Sequence, residues 1–190
     1  MHLHPAEIRG YRELFLTGRQ LVARWKRLAN GLEGTGAEDA LRGAVRAVDQ
    51  MLGALEPTTA RYGLHARLAA EGTGARIGAA RSVVLDRFLE RNQALRLAVG
   101  DLEHVTTLLA YLARVSDDLG HPDLAAFCRS WEQRLASSSD GVRGAAIGFG
   151  ADPEAAIEPL DSSAVGRAAH RTAWAVGTVG EWIDRRAAGS

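Results

Sequence analysis

The chain has 190 residues, 46% of them hydrophobic, and its 23 basic residues balance its 23 acidic residues. This content is too hydrophobic for a disordered protein, and the length suits one globular domain. The longest nearly apolar run, Val105 to Ala113, is far shorter than the roughly 20 residues of a membrane-spanning helix, so we expect no membrane partner. The N-terminus lacks a secretory signal pattern, which predicts a cytoplasmic protein.

Charge is distributed unevenly along the chain. Residues 1–100 sum to +5, residues 101–165 to −7 and residues 166–190 to +2. A nucleic-acid-binding protein normally concentrates basic residues on one element, so we expect no nucleic-acid partner. The pattern instead indicates complementary charges within the protein or with a charged partner surface.

The first predicted helix runs from about Pro5 to Asn30, with Gly31 at its end. Apolar residues recur there every three or four positions, which is the spacing of an amphipathic helix. Proline suits the first turn of a helix and glycine suits its end. The shared apolar face is formed by Ile8, Tyr11, Phe15, Val22 and Trp25.

The second predicted helix follows a capping box formed by Thr35 and Glu38. Its apolar stripe ends at Pro57, where the proline ring should clash with a helical predecessor. A shorter helix is expected over residues 58–71, before a glycine-rich break at 72–74.

Residues 75–119 carry one long apolar stripe, with Gly100-Asp101 in the middle. Two helices joined at Gly100-Asp101 and one bent helix both fit this stripe. His121-Pro122-Asp123 then predicts another helix start.

The C-terminal part combines loops and one more helix. We expect a loop over 137–141 and an irregular segment over 138–162, interrupted by a short turn that Asp152 opens. The last helix is expected over about 163–187. These elements together predict an all-α protein, a largely up-down bundle of six to eight helices in one domain, residues 1–190.

Asp101 falls inside the apolar arc of its helix, where an unpaired carboxylate would be costly to bury. In one interpretation Asp101 caps a helix that begins after Gly100. In the other it is buried and orients His104, one turn later, in a ligand or metal site that Tyr111 would help to line.

Trp174 also violates its helix pattern, because it lies opposite the apolar stripe of the last helix. Arg167 and Arg171 share its face, and His170 lies one turn before it. A tryptophan flanked by arginines has the composition of an interface hot spot. The alternative is that residues 142–161 fold back and cover the indole.

No catalytic motif and no metal-ligand spacing stands out, so we expect no cofactor, no metal and no catalytic residues. Convergence of His65, His104 and His170 on a metal is an open alternative. Cys128 is expected to be a buried, unreactive thiol.

The leading prediction is a non-catalytic interaction protein that self-associates, as a homodimer or larger oligomer, through its last helix, or binds another protein. The competing prediction is a small-molecule or metal-binding bundle with its site near Asp101 and His104.

Overall fold

The computed structural model describes residues 2–65, 89–161 and 163. These ranges contain five α-helices, which we number α1 (Pro5–Asn30), α2 (Gly36–Ala60), α3 (Arg91–Asp118), α4 (Pro122–Gly148) and α5 (Pro153–Ile157), with a 3-10 turn (Phe149–Ala151) after α4. Apart from one isolated bridge between Glu90 and Pro159, the described residues form no β-structure. The all-helical prediction is confirmed, and the number of six to eight helices stays a prediction.

The helix α1 runs antiparallel to α3. Near the start of α1, Gly10 faces Leu112. Near its end, Arg24 donates a hydrogen bond to Asp101. Residue numbers therefore increase along α1 in the direction in which they decrease along α3. In the same way, Gly18 of α1 lies against Leu52 of α2, which makes these two helices antiparallel as well.

The helices α3 and α4 form an antiparallel hairpin. Only the residues from 119 to 121 connect them, and Asn92 at the start of α3 donates a hydrogen bond (2.7 Å) to the carbonyl of Ala146 near the end of α4. Each helix packs chiefly against two others, which gives the order α1, α2, α4, α3 around the bundle. The helices α2 and α3 are therefore diagonal to each other and run in the same direction.

One hydrophobic core runs through the bundle and takes side chains from all four long helices. Burying a side chain of leucine size contributes roughly 1.5–3 kcal/mol. The apolar face predicted for α1 is confirmed, because Tyr11 and Trp25 are fully buried and Phe15 and Val22 nearly so. The bounds of α1 are also as predicted.

The predicted end of α2 at Pro57 is wrong, since the helix continues to Ala60. Pro57 is exposed on the helix surface, and so is Gly53, whose carbonyl has lost its amide donor. The carbonyls of the following two residues, Ala54 and Leu55, accept hydrogen bonds from the hydroxyls of Thr58 and Thr59 respectively. Residues 61–65 are not helical, so a helix does not begin at 58 as predicted, and residues 66–71 lie outside the described part of the chain.

The capping box predicted for α2 is also wrong, because the Thr35 and Glu38 side chains do not make the reciprocal hydrogen bonds of that motif. The Thr35 hydroxyl donates to the Leu32 carbonyl (2.6 Å), and the Glu38 carboxylate accepts from the Gly34 amide (3.0 Å). Both side chains therefore stabilise the turn before the helix.

The loop predicted at 137–141 is wrong, because α4 runs without interruption to Gly148. Leu135, Val142 and Ala146 are buried on its inner face, so packing outweighs the poor helix propensity of the serines and glycine between them. The irregular segment therefore begins at 149, where Asp152 caps α5 as predicted by accepting from the Ala155 amide (3.1 Å). The last predicted helix, 163–187, lies outside the described residues except for Ser163.

Residues 158–161 form a strap that crosses one end of the bundle. The Leu160 amide donates to the Leu89 carbonyl (2.9 Å), and Glu158 is ion-paired with Arg91. Leu160 packs so closely on Gly31 that a Cβ there would lie 2.5 Å from the Leu160 carbonyl oxygen. Gly31 ends α1 with an ordinary right-handed φ of −75°, so this close approach, not backbone freedom, is what requires glycine.

None of the described helices is both long enough and apolar enough to cross a membrane.

Candidate functional site

Asp101 lies in the middle of α3, so the alternative in which one helix ends at Gly100 and Asp101 caps the next is wrong. Its carboxylate accepts hydrogen bonds from the Arg24 guanidinium (3.1 Å) and from the indole N–H of Trp25 (3.3 Å). The Asp101 side chain is 26% exposed, whereas Trp25 is fully buried. A buried indole N–H needs an acceptor. Asp101 therefore interrupts the apolar arc because it satisfies the core tryptophan.

His104 and Tyr111 both lie on the surface of α3, 57% and 51% exposed respectively. The Nε2 atom of His104 is 3.7 Å from the Glu13 carboxylate on α1. The carboxylate of Asp101 that was expected to orient His104 instead binds Arg24 and Trp25. Ligand binding at Asp101, His104 and Tyr111 stays a prediction, and these contacts give it no support.

The four residues predicted to form an interface lie outside the described residues: Arg167, His170, Arg171 and Trp174. Within the described part of the chain, no three His, Cys, Asp or Glu side chains are grouped to hold a metal ion. His65 is exposed at the end of the first described range.

A buried polar cluster that the sequence reasoning missed lies at the opposite end of the bundle from the strap. Its centre is Glu7, which has no exposed surface. One carboxylate oxygen accepts from the Ser116 hydroxyl (2.9 Å) and from His121 Nδ1 (2.9 Å), and the other accepts from the His4 amide (3.0 Å). The cluster joins the start of α1 to the end of α3 and the start of α4.

These bonds keep Glu7 ionised. Burial alone would raise the pKa of Glu7, but the hydrogen bonds from His121, the His4 amide and Ser116 outweigh burial and lower the pKa below its ordinary value. An ionised carboxylate only accepts hydrogen bonds. His121 therefore carries a proton on Nδ1, and the Ser116 hydroxyl points at Glu7.

The same reasoning fixes the direction of the bonds that follow. Because the Ser116 proton points at Glu7, Tyr11 donates to Ser116 (3.0 Å), and Cys128 then donates its thiol proton to the Tyr11 oxygen (3.5 Å). Burial raises the pKa of the Cys128 thiol to about 11 and also raises that of Tyr11. The predicted burial of Cys128 is confirmed, and its raised pKa disfavours the reactive thiolate.

Tyr62, just after α2, covers the outer side of this cluster. Its ring meets the His121 ring edge-on, with centroids 5.0 Å apart, and its hydroxyl donates to the Asp123 carboxylate. This bond raises the pKa of Tyr62 to about 12 and lowers that of Asp123. All four long helices thus meet at this end of the bundle.

The cluster has the residue types of a hydrolase but not the geometry. In a nucleophilic triad the histidine lies between the serine and the carboxylate, and takes the serine proton. Here Glu7 lies between Ser116 and His121, and both donate to the same oxygen. The arrangement satisfies buried polar groups, and the serine hydroxyl faces the carboxylate rather than the histidine.

Two apolar grooves flank α4 at the strap end of the bundle. One, of about 550 Å³, lies between the start of α2 and the second half of α4, with α5 at its end. The other, of about 600 Å³, lies between α3 and α4, where Ile147 is 69% exposed.

No family model matches this chain, and the comparisons with curated proteins and with solved structures found no significant similarity.

Proposed function

We propose that this is a non-catalytic interaction protein that self-associates through residues 163–187. The observation that carries the proposal is the contrast between the two ends of the bundle. At one end, the groups capable of chemistry bond to one another inside the fold. At the other end, apolar grooves flank α4 on both sides.

The sequence of 163–187 adds the second element of the proposal. In the predicted helix, Trp174 shares an otherwise polar face with Arg167 and Arg171, a composition typical of interface hot spots. The positive charge of this segment is opposite to the net charge of residues 101–165, which include α4 and α5. Opposite charges favour association and help to set its orientation.

Light scattering on the purified full chain tests the proposal. Truncating a hot-spot residue costs about 2 kcal/mol or more, so Trp174→Ala should weaken association about thirtyfold. Tyr111→Ala is the matched control, because Tyr111 is an exposed aromatic residue on α3, outside both grooves. A monomeric wild type, or equal association of wild type and Trp174→Ala, refutes the proposal.

A further inference from the structure

The groove between α2 and α4 is built for close approach of another helix. Its two helical walls carry small side chains, since Ala37 and Ala40 on α2 face Gly141, Ala145 and Gly148 on α4, and Phe149 lines it just after α4. Helix axes lie about 8–10 Å apart, and the smallest side chains allow the closest approach. A partner helix that also presents small residues can therefore approach these walls most closely.

The edges of this groove are acidic. Asp152 lines it directly, and Asp140 and Glu154 are exposed neighbours of lining residues. No arginine or lysine is among the lining residues. The groove between α3 and α4 differs, because it is lined by Arg96 and Arg143 as well as Glu103. Charge therefore directs a basic occupant to the α2–α4 groove.

The segment 164–187 has both properties that this groove requires. It is basic, with Arg167 and Arg171 one turn apart in the predicted helix. It also has small residues at helical spacing, namely Gly166, Ala169, Ala173, Gly177 and Gly180.

The strap carries the chain away from this groove. Ala155 of α5 still lines the groove, but five residues later Leu160 is bonded to Leu89 and packed on Gly31. Leu89 precedes α3 and Gly31 ends α1, so the strap finishes on the α1–α3 side, opposite the α2–α4 groove.

We propose that the α2–α4 groove of one copy receives residues 164–187 of a second copy. Two copies that exchange this segment reciprocally form a closed dimer in which the same contact occurs twice. This inference rests on the proposed function, since it names the surface through which self-association occurs.

The test fills the groove without disturbing the fold. A Cβ at Gly141 meets nothing within 4 Å, and leucine is a better helix former than glycine, so Gly141→Leu should fold. Its side chain occupies the space that the partner needs, and dimerisation should weaken at least roughly tenfold. Gly100→Leu is the matched control, because Gly100 is an equally open helical glycine on α3 that lines neither groove.

A mixing experiment then shows whether the contact joins two copies. Gly141→Leu keeps an intact segment, and Trp174→Ala keeps an intact groove. An equimolar mixture retains one good contact per pair, so it should associate more strongly than either variant alone. A mixture that associates no better than its components overturns exchange between copies.

The outcomes separate this inference from the proposed function. If the wild type associates and Trp174→Ala does not, but Gly141→Leu associates like Gly100→Leu, then the groove is not the receptor and self-association through 163–187 stands. If the wild type is monomeric, the proposed function fails, and the inference fails with it.

Discussion

Replacing Glu7 by glutamine should destabilise the protein far more than an ordinary surface substitution. The carboxylate receives three hydrogen bonds, two on one oxygen and one on the other. A glutamine amide has only one acceptor oxygen, so at least one buried donor must face the amide nitrogen. Leaving a buried donor without an acceptor costs about 1–3 kcal/mol, so we expect a loss of about 1–3 kcal/mol at pH 7.

The dependence of this loss on pH follows from the lowered pKa of Glu7. A group whose pKa is depressed in the folded state stabilises the fold above its unfolded pKa, and this contribution disappears as the pH falls through the folded value. The free energies of unfolding of wild type and Glu7→Gln should therefore differ fully above pH 4.5, the ordinary value, and converge below it.

Urea unfolding at a series of pH values measures both quantities. Glu13→Gln is the matched control, because Glu13 is an exposed glutamate on the same helix and a surface ion pair contributes only about 0–1 kcal/mol. The reasoning is refuted if the two variants lose the same stability, or if the difference between wild type and Glu7→Gln does not change between pH 7 and pH 3.

Three further predictions concern other contacts of the fold. Asp101→Ala leaves the buried indole of Trp25 without its acceptor, so the free energy of unfolding should fall by about 1–3 kcal/mol in chemical denaturation and the tryptophan emission should change. Unchanged stability would contradict the role assigned to the carboxylate. Gly31→Ala forces the Leu160 carbonyl to move and should lower stability by about 1–3 kcal/mol; a melting temperature equal to that of wild type would contradict it. In the native protein, Cys128 should resist a thiol reagent at pH 8, because burial raises its pKa to about 11. In denaturant it should react rapidly, and fast labelling of the native protein would contradict its burial.

The regular parts of the fold could be predicted because apolar spacing is local information. The residues of α1 repeat their pattern over seven turns, so both its bounds and its buried face follow from the sequence. The errors at Pro57 and at 137–141 have one physical origin. Proline, serine and glycine disfavour a helix locally, but burial of the apolar residues around them outweighs that preference.

The polar contacts depended on distant residues and could be predicted only in part. The helical wheel correctly marked Asp101 as unusual, but its partners are about 77 positions away on α1. Glu7 gave a usable signal that was missed, because it lies one turn before Tyr11 and two before Leu14 on the apolar face. Ser116 and His121, its partners, are more than 100 positions away, and no local pattern pairs them with it.

Sedimentation equilibrium of the full chain over a wide concentration range tests the central claim most directly. Self-association through 163–187 predicts a wild-type mass that rises to at least twice the chain mass of 20.3 kDa. The mass of Trp174→Ala should rise only at concentrations about thirtyfold higher. A wild type that remains at 20.3 kDa at every concentration would contradict the account.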